Sequence, residues 1–239
     1  MNTNSNLYIF LYASGLVIIV AAVLSFTAIK LQPYQEKNIR IEKMQNILSS
    51  VGIESTVENA EKDFAKYITK SFTINSNGKT KEGEAFTINL KKELSLEQDK
   101  MTLPVFECTQ DDGSMNIIIP VRGKGLWGPI WGYIALEDDY NTIFGAVFDH
   151  KQETPGLGAE INQSWFQEPF KGKKLFNKKG DFVSIKVYKG GKGSAKAAGD
   201  LMHGVDAISG GTITSVALQN MLNDDCLKNY QTFLKNHKN

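Results

Sequence analysis

The 239-residue chain has little of what usually marks metal, redox or nucleophile chemistry: two cysteines, three histidines and a formal net charge of only +1. Cys108 and Cys226 lie far apart and form no CxxC or Cys/His spacing able to hold zinc or an iron–sulfur cluster. Isolated buried thiols are the expectation for them, with a single disulfide the alternative. His150, His203 and His237 are equally scattered, which argues against a self-contained metal site. A balanced charge provides no general field for nucleic acid, so none is expected as a partner. The G-x-S-x-G order of a hydrolase elbow is absent, and no repeat or low-complexity tract interrupts the chain.

Charge is also absent from Leu7 to Ile29, a run of 23 residues. That length crosses a bilayer as a helix. No side-chain charge precedes Lys30 and the apolar part is longer than that of a signal peptide, so residues 7–29 read as an uncleaved anchor after a short tail, 1–6. Lys30, Lys37 and Arg40 follow it, mixed with Glu36 and Glu42, which leaves the orientation open. The anchor's polar side chains are Tyr8, Tyr12, Ser14, Ser25 and Thr27. With no intramembrane carboxylate, basic side chain or histidine, the chain by itself has no path for ions.

Residues 30–54 read as a helical stalk, with Ile39, Met44, Ile47 and Leu48 among charges and an end near Gly52. A second short helix is expected over Glu58–Lys70. Beyond it the pattern turns to strands. Hairpins are expected for 70–75 with 84–90 around Ser-Asn-Gly, for 105–109 with 115–121 around Asp111-Asp112-Gly113, and for 132–136 with 142–150. Alternation over 182–188 predicts one more half-buried strand. Ser215 to about Lys235 has helical spacing, with Thr214 or Ser215 as N-cap. The expected architecture is an α+β domain over 55–239 behind a single transmembrane helix.

Two loops carry the chemistry. In "DAISGGTITS", Asp206 to Ser215, two glycines sit among four hydroxyl side chains just before a helix. A helix N-terminus leaves backbone N–H groups unpaired and favours an anion such as phosphate. Gly210 and Gly211 allow close approach, and Ser209, Thr212, Thr214 and Ser215 add hydroxyl donors. A plain strand-to-helix turn is the competing reading. In "HKQETPGLGAEI", His150 to Ile161, the order Pro155, Gly156, Gly158 predicts an ordered turn presenting Glu153, Thr154 and Leu157.

Together the two stretches resemble the covalent FMN-binding domain of bacterial redox pumps. In that family a Mg-dependent flavin transferase moves FMN from FAD, through its phosphate, onto a hydroxyl in a motif D-x-x-S/T-G-A-T/S. The resemblance implies FMN phosphoester-linked to Thr212, with Asp206 as the leading acid and Ser209, Gly210 and Gly211 between them. Gly211 stands where alanine is usual; as a small residue it is expected to keep the fit while loosening the loop. Thr214 and Ser215 are implied to bind phosphate oxygens or cap the helix, and Glu153, Thr154, Leu157 and Gly158 to contact the flavin. Simple electron transfer implies no catalytic acid or base and no metal ligand in this chain.

The resemblance extends over nearly the whole chain to the C subunits of Na+-translocating NADH:quinone oxidoreductases. The anchor, the stalk "LQPYQEKNIRIEKMQNIL" and "GKGLWGPIWGYIAL" at Gly123–Leu136 all look like that family. It implies a single-pass subunit of the bacterial cytoplasmic membrane with its antiparallel sheet and flanking helices on the periplasmic side, the FMN-binding part covering about 100–239. Electrons would pass between membrane partner subunits on the way from NADH to ubiquinone, and sodium passage would belong to those partners. A G subunit of an Rnf-type electron-transport complex, or an anchored FMN-binding or sensing domain without electron relay, are the alternatives.

Other features are weaker. Trp127 and Trp131 read as core aromatics in a strand-rich segment, with flavin shielding or a partner-facing position the alternatives for both and for Leu126. His150 is a candidate for the flavin edge and His203 for supporting the acceptor loop. Lys171 to Lys196 carries nine lysines and one acid, Asp181, and reads first as a solvated face, with pairing to the cofactor phosphate or docking of a partner as the alternatives.

Overall fold

A computed structural model describes residues 5–238; the first four residues of the expected tail lie outside them. The chain divides into two units, residues 1–43 and 44–239. Helix α1, Asn6–Ser49, supplies most of the first. It is the one helix among the described residues long and apolar enough to cross a membrane. Its apolar side chains, Phe10, Ile18 and Phe26 among them, face outward, as lipid contact requires.

In the second unit the end of α1 leads through α2 (Ala60–Tyr67) into β1 (Ile68–Ile74) and β2 (Thr80–Glu82). After α3 (Leu90–Glu93) come β3 (Leu103–Thr109), β4 (Met115–Lys124), β5 (Pro129–Leu136) and β6 (Ile143–His150). These six strands form one antiparallel sheet in the order β2-β1-β3-β4-β5-β6. Both of its faces are covered, which is why β4 is a continuous apolar run. Ile117, Ile119 and Val121 point into the larger core with Phe148, Phe170, Leu218 and Tyr230. Ile118, between them, points the other way to Ile47, Val51, Phe106 and Tyr133. The period-two geometry of a strand thus sorts consecutive isoleucines into two cores.

The second and third expected hairpins form as read. The first is shorter. Asn75 Oδ1 accepts the N–H groups of Asn77 and Lys79, and Gly78 takes a φ of +72°, so the return strand starts at once at Thr80. Residues 84–90, expected as that strand, instead make a 3-10 turn at Ala85–Thr87 and the start of α3, whose first turn is capped by Asn89. Of the strand expected over 182–188, only β7 (Lys186–Tyr188) forms, because Ser184 adopts a φ of +53° and breaks the alternation, leaving Val183 exposed.

Between β6 and β7 lies α4 (Ser164–Gln167), and after β7 come α5 (Ser194–Ala197) and β8 (Gly204–Asp206). Strands β7 and β8 pair in parallel, Tyr188 opposite Asp206. The expected C-terminal helix is broken in two: α6 (Thr212–Asn220) runs through a π-helical turn to Cys226, and α7 (Gln231–His237) follows a 3-10 turn. Both cysteines are free and buried, as isolated thiols. Burial pushes the Cys108 thiol up to about 11 and the Cys226 thiol up to about 12.

Candidate functional site

The loop read as the FMN acceptor loop is the link between β8 and α6. Gly210, at φ +77°, turns the chain, and Gly211 rather than Thr214 or Ser215 occupies the N-cap position. The helix therefore begins at Thr212, three residues earlier than its hydroxyl pattern suggested. The reason is burial: Ser215 and Thr214 are 0% and 2% exposed and satisfy other groups. Ser215 Oγ accepts the Ile208 N–H at 3.0 Å and donates to the Gly211 carbonyl at 2.9 Å, closing the loop on itself. Thr214 Oγ1 donates to Glu153 Oε2 at 2.6 Å.

Two of the four hydroxyls are thereby committed inside the fold. The Thr212 side chain is half-buried at the first helical position, and Ser209 is exposed on the turn. The first intrahelical bond comes from Ser215 N to Gly211 O, so the N–H groups of Thr212, Ile213 and Thr214 precede the helical ladder. That is where an anion on Thr212 gains most.

The loop after β6 forms the opposite wall. Thr154 O accepts from the N–H groups of Leu157 and Ala159, and Gly156 takes a φ of +75°, so the expected ordered turn is present. Thr154 and Leu157 are exposed, Gly158 and Glu153 buried. Close approach of the two loops depends on glycine. A Cβ at Gly158 would lie 2.3 Å from Thr214 Oγ1, and one at Gly211 would lie 2.9 Å from the Leu157 carbonyl oxygen. Glycine at 211 therefore does more than keep the loop small: alanine there would press on the Leu157 backbone.

A cavity of about 100 Å³ remains between Leu126, Thr154 and Leu157 on one side and Gly211–Thr214 on the other. Ligand pockets run to roughly 300–1,000 Å³, so this one is on the scale of a phosphate group rather than a whole flavin. An adjoining recess of about 360 Å³ is lined by Trp165, Phe166, Pro169, Lys192, Asp206 and Ser209. Asp206 is occupied within the fold. Its Oδ2 accepts the Gly193 N–H at 2.5 Å and its Oδ1 the Ala195 N–H at 2.8 Å, tying the acceptor loop to the lysine- and glycine-rich turn after β7.

The expected residues thus fall into three groups. Glu153, Thr154, Leu157, Gly158, Gly210, Gly211, Thr212 and Thr214 surround one cavity; Asp206 and Ser209 face the recess beside it; Ser215 lies beneath the loop. Trp127, read as core, is 60% exposed in the Gly125–Gly128 turn, with Leu126 exposed beside it, while Trp131 is half-buried. A glycine on each side of Leu-Trp is the signal that this is a turn. His150 Nδ1 accepts the Glu153 N–H at 3.2 Å. His203 Nδ1 lies 2.6 Å from the Lys174 carbonyl oxygen, in the segment between α4 and β7, rather than against the acceptor loop. Lys192 and Trp165 bring to the recess residues that sequence reasoning does not connect with the loop.

Residues 125–226 match the FMN-binding domain family. The chain is 32% identical over 221 residues to the C subunit of the Na(+)-translocating NADH-quinone reductase of Vibrio vulnificus, covering 86% of this chain and 84% of that one. To the corresponding subunit of Neisseria meningitidis serogroup B it is 34% identical over 233 residues, with 86% of each chain covered. The crystal structure of the C subunit of this reductase from Parabacteroides distasonis superposes with a TM-score of 0.75 at 40% identity, covering 85% of this chain and 96% of that one. That of Shewanella oneidensis NqrC gives 0.68 at 30% identity, covering 83% and 97%.

Proposed function

The chain belongs to the family of C subunits of Na(+)-translocating NADH-quinone reductases, and on that premise we propose that it carries FMN as a phosphoester on Thr212 and relays electrons between membrane-bound partner subunits. The observation that carries this reading is the state of the four hydroxyls. Thr214 and Ser215 are locked into buried hydrogen bonds, whereas Thr212 stands at the first position of α6 beside a phosphate-sized cavity.

In the attachment step, the Thr212 oxygen forms a bond to the phosphorus of the FMN half of FAD. The pyrophosphate bond breaks, AMP leaves, and the hydroxyl proton passes to the Mg-dependent transferase. The negative charge so created lies at the N-terminus of α6. Gly210, Gly211 and Gly158 keep the backbone close, and Glu153, Thr154 and Leu157 form the facing wall. Asp206 holds the loop's shape through the Gly193 and Ala195 N–H groups, and Ser209 lies exposed on the turn beside it. Bound FMN supplies one- and two-electron chemistry, so the chain's own residues need only hold and shield it.

α1 anchors the protein once in the bacterial cytoplasmic membrane, with the second unit on the periplasmic side. There a covalent link keeps the flavin from being lost. Sodium passage falls to partner subunits, in keeping with an anchor free of charged side chains.

The test is the intact mass and peptide map of the full chain produced beside its transferase. The expected result is a gain of one FMN less one water, located on Thr212 and abolished in Thr212→Ala. An unmodified wild-type chain beside a transferase that modifies another substrate would refute the proposal.

A further inference from the structure

We propose that Glu153 is a positioning residue whose buried carboxylate fixes the exposed Leu126-Trp127 turn against the acceptor helix. Three segments distant in sequence meet at this side chain: the β4–β5 turn, the loop after β6 and the first turn of α6. Glu153 Oε1 accepts the Trp127 N–H at 2.8 Å, and Oε2 accepts the Thr214 hydroxyl at 2.6 Å. Its neighbour Gln152 donates from Nε2 to the Trp127 carbonyl at 2.5 Å, so both backbone polar groups of Trp127 are held by adjacent residues of one loop. Glu153 is 4% exposed.

The flanking glycines fit the same arrangement. A Cβ at Gly125 would lie 2.6 Å from Oε1, and one at Gly158 would lie 2.7 Å from Oε2. The carboxylate occupies the space that two missing side chains leave open. A mobile indole on an exposed turn would sample many positions; here the backbone beneath Trp127 is fixed relative to Thr212. The consequence is a preset edge, Leu126 and Trp127, beside whatever Thr212 carries. Only this last step rests on the flavin reading.

Glu153→Gln and Glu153→Ala separate the positions of the atoms from their charge. Glutamine can accept the Trp127 N–H with its oxygen and donate to Thr214 Oγ1 with its amide, keeping the link; alanine keeps neither. The first measurement is amide hydrogen exchange over residues 125–128 in the full-length, flavin-free protein in micelles. In Glu153→Ala, exchange at Trp127 is expected to rise by at least about tenfold, and in Glu153→Gln to stay within about twofold of wild type. Gly125→Ala should raise it in the wild-type background and add little in Glu153→Ala. If Glu153→Ala does not fold, Glu153→Gln with Gly125→Ala carries the comparison.

Unchanged protection at Trp127 in a folded Glu153→Ala, or in Gly125→Ala, would overturn the proposal. The second measurement is the fraction of Thr212 loaded with FMN beside the transferase, expected to fall severalfold in Glu153→Ala and to be retained in Glu153→Gln. Absence of loading in the wild type with the exchange pattern intact would refute the flavin reading and support the positioning role by itself.

Discussion

Thr214→Val tests whether one buried hydrogen bond holds the two halves of the site together. Valine keeps the shape of threonine and replaces its hydroxyl with a methyl group. The hydroxyl lost donates to Glu153 Oε2 at 2.6 Å, and the two residues are 2% and 4% exposed. A hydrogen bond to a charged group contributes roughly 1.5–3 kcal/mol, and an acceptor left buried without its donor costs the upper part of that range. A methyl carbon in the hydroxyl's place would lie inside van der Waals contact of the carboxylate oxygen 2.6 Å away, so the carboxylate must withdraw and strain its bond to the Trp127 N–H. The expected loss of stability is about 2–3 kcal/mol. For a folded unit of this size that lowers Tm by about 4–12 °C. Urea unfolding of the full chain in micelles, followed by circular dichroism, measures the change, with Thr214→Ser as the control that keeps the hydroxyl. A loss under about 0.5 kcal/mol with an unchanged m-value is what an unremarkable surface substitution gives, and it would refute the bond's role.

Other outcomes follow from the same structure. In Gly132→Ala the new Cβ would lie 2.2 Å from the Val147 carbonyl oxygen and 2.6 Å from Phe148 Cδ1. The β5–β6 ladder must open to admit it, at a cost of at least about 3 kcal/mol, seen as a collapse in folded yield and Tm. Cys108 and Cys226 should resist iodoacetamide at pH 8 in the native protein and both react after denaturation, because burial holds their thiols up at about 11 and 12; rapid native labelling of either would contradict its placement. Burial alone would raise the Asp139 carboxyl, but the Thr142 hydroxyl and the N–H groups of Thr142 and Asn141 outweigh it and hold the group below 3.8. With the folded value below the unfolded one, its stabilisation is complete above about pH 4 and is lost as pH falls further; Asp139→Asn should flatten the stability profile below about pH 4.

How far local sequence reaches can be seen element by element. The anchor is legible because 23 uncharged residues leave few alternatives in water. The β3–β4 hairpin is legible because Asp111-Asp112-Gly113 specifies a turn between two apolar runs. Residues 84–90 look like a strand because their apolar spacing suits either period, and the early start of β2 at Thr80 decides the matter against it. Trp127 looks like core because an aromatic in an apolar segment is usually buried; here glycines 125 and 128 make the segment a turn.

Contiguous residues and their periodicity suffice for the membrane anchor, the antiparallel sheet and the two loops that frame the candidate site. Which hydroxyl is left for chemistry is a matter of how those pieces pack. That choice depends on Glu153 reaching Thr214 across 61 positions of sequence, and on Asp206 being taken up by the N–H groups of Gly193 and Ala195. Burial and long-range hydrogen bonding commit a polar group or leave it available, and neither is written in a residue's neighbours along the chain.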